Sequence, residues 1–189
     1  MREYSARSAR TILTLVAAFM AAAQCSSYHV NLMGASYHFT RQYQGRNYNE
    51  FNPGIGVGGM NTIGNNNFGI TATYLKNSFN NDSAYVIGHY TNSWLRLGKF
   101  TNSTGLLIGF ATGYETRYNR TREQNPIPAA GFMNDMCLYD FCVFQVAMPS
   151  YDGMSGFVAG GLRYNFRFNA GSASAANEIA ALAFVNTVV

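Results

Sequence analysis

The sequence predicts an all-β fold, an eight-stranded antiparallel up-and-down β-barrel that spans a membrane. Only 12% of its 189 residues are charged, whereas ordinary soluble domains carry about 25%. Aromatic residues make up 15% of the chain, and 19 residues are glycine. After residue 23, short segments of alternating polarity are separated by Gly, Asn and Pro turns. Membrane barrels show this combination, because their strands alternate between lipid and a polar interior.

The first 23 residues predict a cleavable signal peptide. Three arginines precede an apolar run at 11–20, and three alanines before Gln24 offer a small-residue cleavage site. The apolar run is shorter than the roughly 20 residues that a membrane-spanning helix needs, so a permanent anchor is disfavoured. Cys25 leaves a lipoprotein as an alternative, although Gln24 is a poor fit to the small residue expected before a lipidated cysteine.

Export also changes what the net charge means. The segment 1–23 contains three Arg and one Glu, so its removal lowers the formal charge from +4 to +2. The chain has no basic cluster of the kind that tracks phosphates. We therefore expect no nucleic-acid partner.

We expect eight strands within residues 24–168, each bounded by turn residues. They cover residues 34–43, 54–60, 68–75, 84–97, 105–118, 127–136, 142–148 and 156–168. A soluble β-sandwich or a lipocalin-like barrel would have similar strands, but the low charge and the aromatic content favour a membrane. The remaining segment, 169–189, is predicted to be a tail that is either a short helix or disordered.

The last strand shows the alternation best. Its aromatic and small residues interleave with polar ones, which predicts one face toward lipid and one toward a polar lumen. We assign to the first set Phe157, Ala159, Gly161, Tyr164, Phe166 and Phe168, and to the second set Arg163, Asn165 and Arg167.

Two cysteines lie close together, Cys137 and Cys142. Export makes a disulfide plausible, and the four residues between them fit a tight turn, so the bond would close a hairpin. Free thiols and a metal site are the alternatives. No second Cys or His pair has ligand spacing, and we expect no metal and no other cofactor.

Several short motifs follow one another along residues 36–168. They are Tyr37-His38-Phe39, Tyr48-Asn49-Glu50, Gly54-Ile55-Gly56-Val57-Gly58, Thr73-Tyr74-Leu75-Lys76-Asn77-Ser78-Phe79, Gly88-His89-Tyr90, Ser93-Trp94, Gly109-Phe110-Ala111-Thr112-Gly113, Thr116-Arg117, Pro126-Ile127-Pro128, Val143-Phe144-Gln145 and Pro149. This order and spacing resemble the lipid A palmitoyltransferase (PagP) family.

The resemblance implies an outer-membrane enzyme of a Gram-negative bacterium. It would move an acyl chain from a phospholipid donor to lipid A or lipopolysaccharide. Its partners would be membrane lipids alone, and it would act as a monomer.

The resemblance further implies three catalytic positions. His38, Asn77 and Ser78 match the His, Asp and Ser of the family, so His38 would act as base and Ser78 as hydroxyl or transition-state donor. Asn77 can orient a ring but carries no charge, and a comparable Asp-to-Asn change costs serine proteases roughly 10⁴-fold. Acyltransferase activity is therefore an open question, and Glu50 and Asp82 are the nearest acidic candidates. Without the family context, His38 fits a lumenal polar network, and Asn77-Ser78 fits a turn.

Further positions carry over as substrate contacts and lateral gates. Arg117 would contact an anionic headgroup or fill the lumen, and Gly88 or His89 would form the pocket floor, with a shorter acyl chain accepted if it is His89. Proline lacks an N–H and interrupts strand pairing, so prolines would open the barrel wall unless they only mark loop boundaries. The candidate gate residues are Pro126, Pro128 and Pro149.

Two rival functions remain in view. A noncatalytic barrel would serve a structural, adhesion or surface-interaction role through its loops. A porin is disfavoured, because side chains fill the interior of an eight-stranded barrel.

Overall fold

The computed structural model describes residues 25–40, 42–43, 45–114, 126–150 and 155–167. Its strands, in chain order, are β1 (Ser27–His38), β2 (Gln42–Tyr43), β3 (Arg46–Asn47), β4 (Phe51–Ile63), β5 (Asn66–Lys76), β6 (Asp82–Leu97), β7 (Phe100–Ala111), β8 (Ile127–Leu138), β9 (Phe141–Met148) and β10 (Phe157–Phe166). Eight of them form a closed barrel, in which each strand pairs antiparallel with its neighbours and β1 pairs with β10. Strands β2 and β3 form a small hairpin between β1 and β4. The predicted eight-stranded antiparallel barrel is confirmed.

The two ends of the barrel differ in their connections. At one end, which we call the turn end, two-residue turns at 64–65, 98–99 and 139–140 join the strands. Gly64 and Gly98 adopt positive φ angles of 62° and 59°, as tight hairpin turns require. Longer connections lie at the opposite end, which we call the loop end. Membrane barrels have the same asymmetry, with short periplasmic turns and longer extracellular loops.

The outer surface of the barrel is an apolar belt. Leu32, Ile55 and Leu162 are neighbours near mid-strand and are 54%, 50% and 58% exposed. Aromatic side chains flank this belt toward both ends, an arrangement that matches the girdles of transmembrane barrels. Those toward the turn end are Phe68, Tyr90, Trp94, Phe141 and Tyr164, and those toward the loop end are Tyr37, Phe39, Phe51 and Phe110.

A disulfide closes the β8–β9 hairpin at the turn end. Cys137 and Cys142 face each other across the two strands, and their sulfur atoms are bonded. Cys25 is a free thiol. Among the described residues, no helix is long and apolar enough to cross a membrane.

Most strand boundaries differ from the sequence-based expectation by one to three residues, and two strands differ by more. The first strand occupies Ser27–His38 rather than 34–43, because its pairing with both neighbours starts at its first residues and its pairing with β10 ends at the His38–Phe157 pair. The fifth barrel strand is Phe100–Ala111 rather than 105–118. It begins directly after the two-residue turn, whereas 112–114 already belong to a loop.

The face assignment of the last strand was partly wrong. Phe157 and Ala159 lie on the same lumenal face as Arg163, because residues two apart share a face. Tyr164 lies on the outer face, as expected. The predictions for the signal peptide at 1–23, for the tail at 169–189, and for Phe168 and Arg117 lie outside the described residues.

Candidate lumenal site

The inward side chains of two strands change from apolar to polar along the barrel. Along β6, starting from the loop end, they are Tyr85, Ile87 and then His89. Along β10 they begin with Phe157 and Ala159 and reach Arg163 deeper in the barrel. On β1 and β4, in contrast, the buried polar pair Ser36 and Asn52 lines the lumen at the loop end.

We call the polar residues at the deep end of this lumen, Asn31, Thr71, His89 and Arg163, the polar floor. Arg163 forms a 2.9 Å ion pair with Asp135, and the side chains of the two are 3% and 8% exposed. Its Nε donates to Asn31 Oδ1 at 2.9 Å. A buried charge needs such partners, because an unpaired one is strongly destabilising. The floor is therefore polar but close to neutral in charge.

Two histidines lie against glycines of β4 and β5. His29 Nε2 is 2.8 Å from Thr71 Oγ1, and His89 Nε2 is 3.4 Å from the same oxygen. A Cβ at Gly58 would lie 2.1 Å from His29 Nε2, and a Cβ at Gly69 would lie 2.5 Å from the His89 ring. The glycines thus make the space that the imidazoles fill.

Two adjoining cavities occupy the lumen above the floor. The deeper one has a volume of about 90 Å³ and the outer one about 280 Å³. Apolar side chains form most of the deeper cavity, including Leu75, Ile87, Leu107, Met133, Phe144 and Val146. Both cavities are lined by Ser78, Tyr85, Tyr114, Met148 and Phe157. The two cavities therefore share walls and together reach from the loop end to the polar floor, and we call them together the lumenal channel.

The barrel wall is unpaired between β8 and β9 at the loop end. Pairing of these strands stops at Phe132–Ala147, although β8 begins at Ile127. Pro128 and Pro149 lie on the two sides of this gap and line the outer cavity. Proline cannot donate a ladder hydrogen bond, so the sequence itself favours a gap at this point.

Of the three predicted gate prolines, the structure brings together two. Pro126 precedes β8, is exposed and does not line either cavity. Gly131 was not predicted, although it lies where the strands separate. A Cβ there would be 2.3 Å from the Ala147 carbonyl oxygen, so the close approach of the two strands requires glycine.

His38 and Ser78 lie at the loop end and line the same outer cavity. The His38 ring is buried and stacks on Tyr48, with centroids 4.0 Å apart and planes inclined by 6°. Its Nδ1 is buried without a hydrogen-bond partner among the described residues. Phe157 packs against the other side of the site, 5.3 Å from the His38 ring.

Asn77 has a different environment from the one expected. Its Oδ1 accepts hydrogen bonds from the backbone N–H groups of Phe79 and Asn81 at 2.9 and 3.0 Å. Its Nδ2 donates to the Gly113 carbonyl at 2.8 Å. These contacts shape the β5–β6 loop and join it to the segment after β7. The expected role of orienting His38 is therefore not supported by the contacts of Asn77, which are structural.

The two acidic candidates also differ. Asp82 pairs with Lys76 at 2.7 Å, which is a contact between strand ends. Glu50 is exposed just before β4, and its backbone carbonyl oxygen accepts a hydrogen bond from the Ser36 N–H at 2.8 Å. Within the described part of the chain, no hydrogen bond or ion pair joins its carboxylate to His38. Tyr114 is hydrogen-bonded to the Tyr85 hydroxyl at the same rim. Burial raises the pKa of Tyr114 to about 12, so its phenol stays protonated at neutral pH.

The choice between Gly88 and His89 as pocket floor is decided by strand geometry. Gly88 faces outward, and a Cβ there would have no heavy atom closer than the Ile108 carbonyl oxygen at 3.7 Å. The assignment of Gly88 as a substrate contact is wrong, because adjacent strand residues face opposite sides. His89 lines the deeper cavity. No cluster of His, Cys, Asp or Glu suited to a metal ion occurs among the described residues.

Comparisons with known proteins give similarity at the level of fold alone. No family model and no curated protein matches the chain. The chain is similar to the N-terminal β-barrel domain of Pseudomonas aeruginosa OprF, with 10% identity and a TM-score of 0.43 over 75% of this chain and 98% of that one. It is also similar to the Yersinia pestis outer membrane protein Ail, with 9% identity and a TM-score of 0.42 over 76% and 100% of the two chains. Such distant similarity says nothing about function, and the resemblance to the PagP family stays a prediction.

Proposed function

We propose that this chain is a small outer-membrane barrel that draws an acyl chain of an outer-leaflet phospholipid into its lumen and transfers it to lipid A. The observation that carries the proposal is the outer cavity of the lumenal channel, which is lined by His38 and Ser78 and by the prolines that border the end of β8–β9 pairing. A channel of this kind gives a lipid tail access to a buried site without leaving an apolar environment.

Placement in a membrane is supported by the exterior. The apolar belt with its aromatic flanks would be unfavourable in water, because the removal of apolar surface from water lowers the free energy. A Gram-negative outer membrane is the setting in which barrels with short periplasmic turns occur. The loop end, with His38 and Ser78, would then face the cell exterior.

The depth of the lumen limits the acyl chain. Six residues separate Phe157 from Arg163 on β10. With a rise of about 3.3 Å per residue and a strand tilt of about 40°, the channel is roughly 15 Å deep. His89 and Arg163 end it. We therefore propose a short chain as the preferred substrate.

The loop end of the barrel carries groups suited to acyl transfer. A hydroxyl attacks the ester carbonyl of the donor, His38 accepts its proton, and the proton is returned to the leaving lysophospholipid oxygen. If Ser78 is the hydroxyl that attacks, the acyl group is held as a serine ester. A lipid A hydroxyl then attacks this ester while His38 takes the hydroxyl proton and returns it to Ser78. In the alternative route, the lipid A hydroxyl attacks the donor ester directly and Ser78 donates a hydrogen bond to the developing oxyanion. Glu50 takes the place of the family carboxylate by stabilising the imidazolium.

The test is mass spectrometry of lipids from a Gram-negative host that expresses the chain. We expect an added acyl mass on lipid A that disappears in Ser78→Ala and in His38→Ala. Ser103→Ala is the matched control, because Ser103 is a buried lumenal serine at the opposite end of the barrel. An unchanged lipid profile with correctly inserted protein would contradict acyl transfer.

A second candidate function is a noncatalytic barrel with a structural or surface-interaction role. It is favoured by Asn77, whose side-chain atoms bond to loop backbone rather than to His38. This candidate predicts an inserted, folded protein whose lumen binds lipid tails and leaves every lipid chemically unchanged.

A further inference from the structure

The deep end of the lumenal channel is polar, although a saturated acyl tail ends in a methyl group. Thr71, His89 and Arg163 line the bottom of a cavity whose walls are formed mainly by apolar side chains. A methyl group placed against these buried groups would give them no hydrogen bond, whereas a polar chain end would. A different kind of chain end would fit this floor better.

The polar floor has unused hydrogen-bonding capacity. His89 is 6% exposed, and its Nδ1, which has no hydrogen-bond partner among the described residues, is itself buried, so the capacity that a ligand can use lies with Arg163. Thr71 has a single hydroxyl proton for two neighbouring imidazole nitrogens, so it donates to one and accepts from the other. Arg163 has five N–H groups, of which two are committed to Asn31 and Asp135.

The net charge of the polar floor indicates which chemical group at the end of a chain it would bind. Arg163 is already neutralised by Asp135, and both are buried. A carboxylate would bring an additional, uncompensated negative charge into a low-dielectric site, which is costly. A neutral hydroxyl both donates and accepts, and it matches the mixed donors and acceptors of the floor.

We propose that the polar floor selects linear chains whose buried end carries a hydroxyl group. The inference rests on the proposed uptake of acyl chains, and it names the class of chain. The terminal hydroxyl accepts a hydrogen bond from an Arg163 N–H group and lies against Thr71 and His89, while the methylene groups contact Leu107, Met133 and Phe144.

The experiment compares three ten-carbon ligands on the full chain held in amphipol: 1-decanol, 1,10-decanediol and decanoic acid. Binding is followed by the ¹³C-methyl signal of Met133, which lies in the cavity wall. Because the ligands partition differently into amphipol, each affinity ratio is compared with the same ratio in the variants. We expect the diol to bind about tenfold more tightly than decanol, the factor that corresponds to one buried hydrogen bond of about 1.4 kcal/mol.

The variants separate the floor from the rest of the barrel. His89→Leu should remove the preference for the diol, and Thr71→Val, which is nearly isosteric, should weaken it. Tyr90→Leu is the matched control, because the neighbouring residue faces outward, and it should leave the preference unchanged.

The outcomes distinguish this inference from the proposed function. Equal or tighter binding of decanol, tighter binding of decanoic acid, or an unaltered preference in both floor variants would overturn the hydroxyl inference and leave acyl uptake standing. If none of the three ligands reaches the lumen, acyl uptake is wrong and the hydroxyl inference is wrong with it.

Discussion

At the scale of single residues, the packing of the lumen depends on glycines, which leave space for larger side chains on neighbouring strands. His29 and His89 are held over Gly58 and Gly69, which leaves the imidazoles room beside Thr71. These glycines of β4 and β5 are therefore packing positions rather than flexible points. Gly88, in contrast, faces outward and has open space around it.

This difference predicts that two Gly→Ala substitutions change the free energy of unfolding by different amounts. Gly58→Ala would place a Cβ 2.1 Å from His29 Nε2 and 2.5 Å from the Ile70 carbonyl oxygen. We expect it to lower the free energy of unfolding by about 1–3 kcal/mol, as overpacking does. Gly88→Ala should change it by less than about 0.5 kcal/mol, as is usual for surface sites. Urea unfolding in lipid vesicles measures both, and equal effects would contradict the packing role.

Glu50 allows a second prediction at this scale. If its carboxylate stabilises the His38 imidazolium, Glu50→Gln should lower acyl transfer at least about tenfold, within the range that acid–base catalysis contributes. Asp82→Asn is the control, since Asp82 pairs with Lys76, and it should leave the rate within about twofold. Equal losses in the two variants, measured as lipid product per inserted protein, would argue against a specific role for Glu50.

At the scale of elements, the β8–β9 pair joins a closed end to an open one. The disulfide and the paired residues fix the strands at the turn end, and the pairing ends at Phe132–Ala147. Pro128 and Pro149 then border the gap. In the described part of the chain, this wall is therefore paired at the turn end and unpaired at the loop end, where His38 and Ser78 lie.

Linking the two sides of the gap should block the lumen. Ala130 on β8 and Pro149 directly after β9 are exposed residues on the two sides of the gap, so Ala130→Cys with Pro149→Cys can be bridged by a short bifunctional thiol reagent. We expect the bridged protein to lose lipid modification and the unbridged variant to keep it. The wild type treated with the same reagent controls for Cys25, and full activity after bridging would exclude this gap as the entrance.

The native disulfide should affect stability rather than function. Its five-residue sequence separation closes a small loop, for which the chain-entropy model gives about 2 kcal/mol. The double variant Cys137→Ala with Cys142→Ala should unfold more easily by about that amount and keep its lipid products. A loss of activity at unchanged stability would show that the turn end influences the loop end, where His38 and Ser78 lie.

Much of the element order followed from sequence, but the faces and the loop contacts did not. Turn residues and alternation located eight strands, since both signals are local. The lumen, however, contains both Phe157 and Arg163. Polarity alone therefore could not tell which of the two alternating sets of residues along β10 faces inward. The start of β1 depended on pairing with β4 and β10, and the contacts of Asn77 depended on a carbonyl 36 residues away. Such long-range partners leave no signal in the local pattern.

At the scale of the whole molecule, the barrel reverses the arrangement of a soluble protein. Its exterior is an apolar belt. Its interior contains a buried ion pair and two histidines that share the Thr71 hydroxyl as a hydrogen-bond partner. This arrangement is stable where hydrocarbon surrounds the belt, because the closed barrel satisfies backbone hydrogen bonds.

The belt predicts that the cost of a surface charge depends on its depth. Leu162→Arg, near mid-strand, should reduce the free energy of folding into vesicles by about 2–4 kcal/mol, whereas a site near the interface should cost about 0–1 kcal/mol. Leu97→Arg is the matched substitution at the turn end, where Leu97 is 65% exposed. If both variants fold as well as the wild type, the belt does not contact hydrocarbon.

The central claim is that a lipid tail enters the lumen through the β8–β9 gap. The most direct measurement reconstitutes the full chain with a phospholipid that carries a photoreactive diazirine near the end of one acyl chain, followed by mapping of the labelled residues. We predict labelling of lumenal residues such as Leu107, Met133 and Phe144, which bridging of the gap would abolish. Labelling confined to outward residues such as Leu32, Ile108 and Leu162 would contradict the claim.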